Sequence, residues 1–303
     1  MPRPKKNLVN LKSQIPTAPV LSQPQSAASA TRPVVAVKNN VLFFIEQSKA
    51  SINRSCVEQV EEELKNYTDG NLFLIIHTYG GDVYSAVRII RVLQDRFKKI
   101  NVIIPDFAFS SGTIMSLGSD EIYMDRDAML GPLDLPMEHP ADGSQISSLD
   151  ITNTLSNLSS ICTSIATTIY AKLREDNSNF KLGKTEASKI SFDTATKIIS
   201  PIVSKIDPYY LQRGYRETRI ALYYSIDLLT VRMMKDNFYQ ALDTSSALVN
   251  NYPSHGYGIF RDEAKNTLKL NVSNLENLKE WKLFEPTFNK VKDKTRYIKY
   301  LQI

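Results

Sequence analysis

With 303 residues, 42% of them hydrophobic, the chain can build one large globular domain or two small ones. Two unclustered cysteines, Cys56 and Cys162, exclude a disulfide framework or a cysteine zinc site and suit a reducing compartment, so a cytoplasmic location is expected. The net charge of +5 falls wholly on the first 33 residues, where Arg3, Lys5, Lys6, Lys12 and Arg32 stand without an acid, and so sparse a basic stretch indicates no specific nucleic-acid binding.

Residues 1–33 are rich in Pro, Ser, Ala and Gln, show no periodicity and read as a disordered tail. They lack the apolar core of a secretory signal. Order is expected from Val34, with a strand at Val41-Leu42-Phe43-Phe44-Ile45 and an amphipathic helix over 51–67 opened by Ser51 as N-cap. The run Leu72-Phe73-Leu74-Ile75-Ile76 reads as a second strand. It stops at Thr78-Tyr79-Gly80-Gly81-Asp82. A helix then places Val83, Ala86, Val87, Ile90, Leu93 and Phe97 on one face. A third strand, Asn101-Val102-Ile103-Ile104, leads to Phe109-Ser110-Ser111-Gly112 and a helix through Ile114, Met115 and Leu117. A fourth, Glu121-Ile122-Tyr123-Met124, precedes Met129-Leu130-Gly131-Pro132-Leu133-Asp134. Residues 136–144 read as a polar loop. Helices are expected over 146–174, over 188–199 with Pro201 as the stop, from Tyr209 to Lys235, and over 239–249. In the helix from Tyr209, the expected buried positions are Leu211, Tyr215, Ile220, Tyr224 and Leu228. No apolar run reaches the length of a membrane span. No Walker-type nucleotide loop is present.

Alternating strands and helices indicate an α/β fold with a parallel sheet, whose sites gather at the carboxyl ends of the strands. The Gly-Gly and Ser-Ser-Gly turns each follow a strand and precede a helix, so they should lie side by side on one sheet edge. A serine at a helix N-terminus, beside glycines that can turn their N–H groups inward, holds the minimum kit for acyl transfer. The plainer reading of the same residues is a serine N-cap after a glycine turn.

Thr78-Tyr79-Gly80-Gly81-Asp82-Val83 followed by Ala108-Phe109-Ser110-Ser111-Gly112-Thr113 resembles the Clp protease and signal peptide peptidase superfamily. Met129 to Asp134, the later Tyr252-Pro253-Ser254-His255-Gly256-Tyr257-Gly258-Ile259, and Asp262-Glu263-Ala264-Lys265 resemble the serine dehydrogenase proteinases within it. The resemblance implies a ClpP/crotonase-like sheet with flanking helices over 34–272, followed by a helical C-terminal extension over 273–303. It implies peptide-bond hydrolysis by a serine nucleophile, with no metal or cofactor. It also implies a peptide or protein substrate and a homo-oligomer; an unfoldase or membrane partner is not specified. The missing membrane span departs from those relatives that are membrane-anchored.

Ser110 occupies the superfamily's nucleophile position, with Ser111 as the fallback. The oxyanion would face the N–H of Ser111 together with that of Gly81 or Asp82. Three bases compete to activate the serine. The family's Ser, Asp, His order implies Ser110, Asp134 and His255. The Ser-Lys dyad of signal peptide peptidases implies Lys172 or Lys205, either of which would need burial to act as a base. His139, just beyond Leu130-Gly131-Pro132, is the third. His77, ending a core strand, reads as structural. Two other functions stay open: a non-catalytic scaffold or peptide-binding protein that keeps the fold, and a crotonase-like acyl-CoA enzyme indifferent to Ser110.

Overall fold

The computed structural model describes residues 39–47, 51–67, 69–134, 136–138, 143–175 and 182–303. The expected tail over 1–33 lies outside them. Strand β1 (Asn40–Glu46) leads to helix α1 (Arg54–Glu63), then to β2 (Asn71–Thr78), α2 (Val83–Arg96) and β3 (Lys99–Ile104). The short β4 (Phe107–Ala108), which sequence periodicity did not indicate, precedes α3 (Ser111–Leu117), β5 (Glu121–Met124) and β6 (Met129–Leu130).

β1, β2, β3 and β5 run parallel. β3 lies along β2 from Asn71 to Ile75, and β4 takes over the same side at Thr78, opposite Ala108. β6 adds parallel to β4. The edge is completed by β9 (Ile259–Phe260), antiparallel to β6.

The strands read as unbroken apolar runs because both sheet faces are covered. Leu42, Phe44, Leu72, Leu74 and Ile76 pack with Val57 and Val60 of α1 and with Ala86, Ile90 and Leu93 of α2. The alternate residues, Val41, Phe43, Ile45, Phe73 and Ile75, meet Phe284, Phe288 and Val291 of α9 (Trp281–Val291). Asn53 rather than Ser51 caps α1, its side chain accepting from Ser55 N at 3.0 Å. Ser51 is displaced from that role because Ile52 is drawn into an extended bridge with Gly81. In that bridge Ile52 N donates to Gly80 O at 2.9 Å and Asp82 N donates to Ile52 O at 2.8 Å.

Part of the expected loop over 136–144 is a small hairpin arm, β7 (Pro136–Glu138) against β8 (Gln145–Ser147). Ile146 therefore belongs to a strand. α4 (Ser148–Arg174) begins after it, capped by Ser147. Its Ser and Thr residues stay helical by bonding back one turn, as Thr163 does to Ser159 O and Thr167 to Thr163 O. α5 (Lys184–Val203) runs through Pro201, which removes one N–H from the last turn without ending the helix. α6 (Pro208–Val231) opens with the Asp207 cap and Pro208 at its first position.

The buried positions of α6 are Gly214, Ala221, Ser225, Leu228 and Leu229. Of the five expected, Leu228 is fully buried, Tyr215 is exposed, and Leu211, Ile220 and Tyr224 are half-buried. Small residues win those places because the helices approach closely: a Cβ on Gly214 would stand 2.9 Å from Ile151 Cγ2. α7 (Phe238–Asn250) follows, and after β9 come α8 (Arg261–Asn266), β10 (Val272–Asn274), a 3₁₀ turn at Leu275–Asn277 and α9. β10 adds to the far edge beside β5. The last strand, β11 (Arg296–Gln302), pairs antiparallel with the whole of β1. The expected boundary at residue 273 thus falls inside β10, and residues 273–303 share the central sheet through β11.

Candidate active site

Three adjacent short strands bring the expected serine, aspartate and histidine to one edge of the sheet. Ser110 comes two residues after the end of β4. Asp134 comes four after the end of the neighbouring, parallel β6. His255 comes four before the start of β9, and because β9 is antiparallel to β6 its leading end lies at that same edge.

Ser110 is the residue before α3 and has φ 51°, ψ −114°. Positive φ is unfavourable for a residue with a Cβ, costing about 1–3 kcal/mol, and persists only where the surroundings dictate it. Those surroundings are close backbone contacts. A Cβ on Gly80 would stand 2.8 Å from Ser110 Cβ, and one on Gly131 would stand 3.0 Å from Ser110 N. Gly80, at φ 107°, and Gly81, at φ 147°, keep the conformations that glycine tolerates. Thr113, fully buried, has its Oγ1 2.8 Å from Ala108 O and 2.9 Å from Gly131 O, and it accepts from Gly131 N at 2.9 Å. One hydroxyl therefore ties the segment leading to Asp134 onto the first turn after Ser110.

Asp134 is 1% exposed. Its Oδ1 lies 3.1 Å from His255 Nδ1, and its Oδ2 accepts from Ser147 Oγ at 2.6 Å. An ionised carboxylate only accepts, so with Asp134 ionised the proton in this bond belongs to Nδ1, which leaves Nε2 as the ring nitrogen free to face the serine. The His255 side chain is about one-third exposed, at 33%. The backbone N–H groups of Gly81 and Ser111 have no acceptor among the described residues. Ser111 is the first residue of α3, where an N–H has no partner inside the helix.

Asp82, expected as an alternative oxyanion donor, is otherwise engaged. Its N–H donates to Ile52 O, and its carboxylate caps α2 by accepting from Ser85 N at 2.8 Å and Ser85 Oγ at 2.6 Å. The Ser111 hydroxyl donates to Gly81 O at 2.6 Å, which leaves its proton on a carbonyl rather than on a base. Lys172 and Lys205 are both exposed, without the burial that a lysine base needs. His139 lies outside the described residues. His77 is 2% exposed and packs against Phe107 and Phe288 beside Gln47, with its pKa pushed down by burial. Sequence reasoning missed Ser147 and Thr113. Both are ordinary polar residues whose partners are distant in sequence or belong to the backbone.

Among the described residues no group of three or more His, Cys, Asp or Glu side chains converges to hold a metal ion. Among them, too, no helix is long and apolar enough to cross a membrane.

The chain is similar to two proteins of Methanocaldococcus jannaschii. It is 42% identical to MJ0137 over 74 residues, 24% of this chain and 26% of that protein. It is 44% identical to MJ1495 over 61 residues, 20% of this chain and 21% of that protein. The matches thus span about a quarter or less of those relatives' length. Among solved structures it is similar to a 1510-N membrane-bound stomatin-specific protease. One mutant of that protease, in complex with a substrate peptide, matches at 20% identity and a TM-score of 0.30, over 54% of this chain and 68% of that one. A second mutant matches at the same identity and score, over 50% and 69%. The family model for the ClpP-like SDH-type serine proteinases matches residues 53–188, a span that holds Ser110 and Asp134 and ends before His255. Over residues 53–188 this chain is similar to the ClpP-like SDH-type serine proteinases.

Proposed function

We propose that this protein is a serine peptidase that cleaves peptide bonds in peptide or protein substrates through an acyl-enzyme on Ser110. The observation that carries this reading is the hydrogen bond between His255 Nδ1 and the buried Asp134, brought to the sheet edge where Ser110 stands strained at the head of α3. In this reading Ser110 Oγ attacks the carbonyl carbon of the scissile bond as His255 Nε2 takes its proton. The oxyanion is met by the N–H groups of Gly81 and Ser111. His255 then gives the proton to the leaving amine, the C–N bond breaks, and water, deprotonated by the same nitrogen, releases the acid. Asp134 holds the imidazole in the required tautomer.

The test is labelling with a fluorophosphonate, followed by mass spectrometry to find the modified residue. Label is expected on Ser110 and none in Ser110→Ala. Peptide hydrolysis should fall by about six orders of magnitude in His255→Ala, with Lys172→Ala and Lys205→Ala close to wild type. Label that survives His255→Ala but disappears with either lysine would move the base to that lysine. Absence of label, with coenzyme A thioesters bound or turned over, would favour the acyl-CoA reading. Absence of both would favour the scaffold.

A further inference from the structure

The two oxygens of Asp134 have different partners, and the second belongs to neither the nucleophile nor the base. Ser147 ends β8 and caps α4; its Oγ accepts from Leu149 N at 3.1 Å and lies 2.6 Å from Asp134 Oδ2. A hydroxyl has one proton. The carboxylate can only accept it, so the proton points at Asp134 and a lone pair faces Leu149. The atom that closes the first turn of α4 therefore also clamps the carboxylate.

We propose that Ser147 is a positioning residue for the Asp134–His255 pair, turning the carboxylate so that Oδ1 faces His255 Nδ1. This rests on the reading of Ser110, His255 and Asp134 as the catalytic group. A carboxylate rotates freely about its last bond, because that torsion has only broad minima. One 3.1 Å bond to a partly exposed imidazole is a loose hold on it. A short bond from a hydroxyl to an ionised oxygen is the stronger and more directional of the two.

The hold on Ser147 is itself braced. Thr218 Oγ1 of α6 lies 3.3 Å from Ser148 Oγ, and Gly214 of α6 lets Ile151 of α4 approach. From the other side Leu133 N donates to Leu248 O of α7 at 2.9 Å. The orientation of Asp134 is thereby set by the helical layer as well as by its own strand.

Ser147→Ala, Ser147→Thr and Ser147→Asp separate positioning from capping. Threonine keeps both the cap and the donor. Aspartate caps as well as serine but, when ionised, has no proton to donate and sets a second carboxylate against Asp134. On peptide hydrolysis, Ser147→Ala should lower kcat by about ten- to a hundredfold with KM little changed, Ser147→Thr should restore most of it, and Ser147→Asp should lose at least as much as alanine. If Ser147 only caps α4, Ser147→Ala will lose stability while its folded fraction keeps the wild-type kcat, and the proposal fails.

A second readout does not depend on hydrolysis. The chain has three histidines, so the deshielded Hδ1 proton of His255 can be assigned by NMR with His255→Ala as the blank. It should be lost or shifted upfield in Ser147→Ala and Ser147→Asp, and kept in Ser147→Thr and Ser110→Ala. An unchanged resonance in Ser147→Ala overturns the proposal. A protein that never labels at Ser110 but whose resonance still responds to Ser147→Ala would refute the catalytic reading and retain the positioning.

Discussion

Thr113 and Gly131 are joined in both directions: the Thr113 hydroxyl accepts the Gly131 N–H at 2.9 Å, and its oxygen lies 2.9 Å from the Gly131 carbonyl. The pair fastens the loop after β6 to the first turn of α3, so the distance between Ser110 and Asp134 depends on it. Thr113→Val keeps the shape and removes the hydroxyl, leaving the buried Gly131 N–H without its acceptor. Stability should fall by about 1–3 kcal/mol, read as a lower urea midpoint with unchanged slope. Labelling of Ser110 should slow by more than the fraction unfolded explains.

Gly80→Ala is expected to abolish labelling at Ser110. The new methyl would meet Ser110 Cβ at 2.8 Å and Phe109 O at 2.9 Å, at a φ of 107° that disfavours any side chain. Something must shift, and Ser110 is the nearest group. The fold should survive, with a loss of about 1–3 kcal/mol, because β2 and α2 make their own contacts on either side of the turn. A Gly80→Ala protein with wild-type labelling would show that the serine does not need this backbone approach.

Glu46 is 1% exposed and takes the Arg296 guanidinium at 3.2 Å, binding β11 to β1 inside the sheet. Burial pushes the Glu46 carboxyl up, and Arg296 opposes that shift. Arg296→Met leaves the carboxylate buried without its partner and should destabilise by about 3–5 kcal/mol. Adding Glu46→Gln should recover much of that loss, a non-additivity that a double-mutant cycle in urea measures directly.

Acid should weaken the fold through His77. Burial lowers its pKa below the ordinary 6.5, with Asp106 opposing the shift from 3.8 Å away, Lys292 adding to it and Asp293 opposing it. Above pH 6.5 the imidazole is neutral in both states and contributes no pH dependence. Below it the unfolded chain takes up a proton that the folded chain refuses. Stability therefore falls, by at most about 1.4 kcal/mol per pH unit, until the folded imidazole also protonates. Glu46 acts in the opposite sense, since its raised carboxyl favours folding when protonated, so the comparison is between variants. Unfolding free energy between about pH 7 and pH 5.5 should slope less in His77→Gln than in wild type, and equal slopes would assign the acid sensitivity elsewhere.

The features readable from the residues alone are those that short-range physics encodes. The apolar runs of β1, β2, β3 and β5, the 3.6-residue stripe of α2, and the two turns holding Gly80-Gly81 and Ser110-Ser111 were legible because each depends on neighbours within a few residues. The adjacency of those turns followed from parallel α/β topology. The two-residue strands β4, β6 and β9 were not legible, being too short for any period to show, yet their pairing is what delivers Asp134 and His255 to the edge holding Ser110. The pairing of β11 with β1 was equally hidden, since its partners are some 250 residues apart. Backbone donors carry no signature in side-chain letters. Only the tertiary structure showed that the Asp82 N–H goes to Ile52, while those of Gly81 and Ser111 stay free among the described residues. The same holds for the small-residue seam of α6 and for Ser147. Their roles arise from how closely separate elements approach, and distance in space between residues far apart in the chain is settled by packing rather than by local preference.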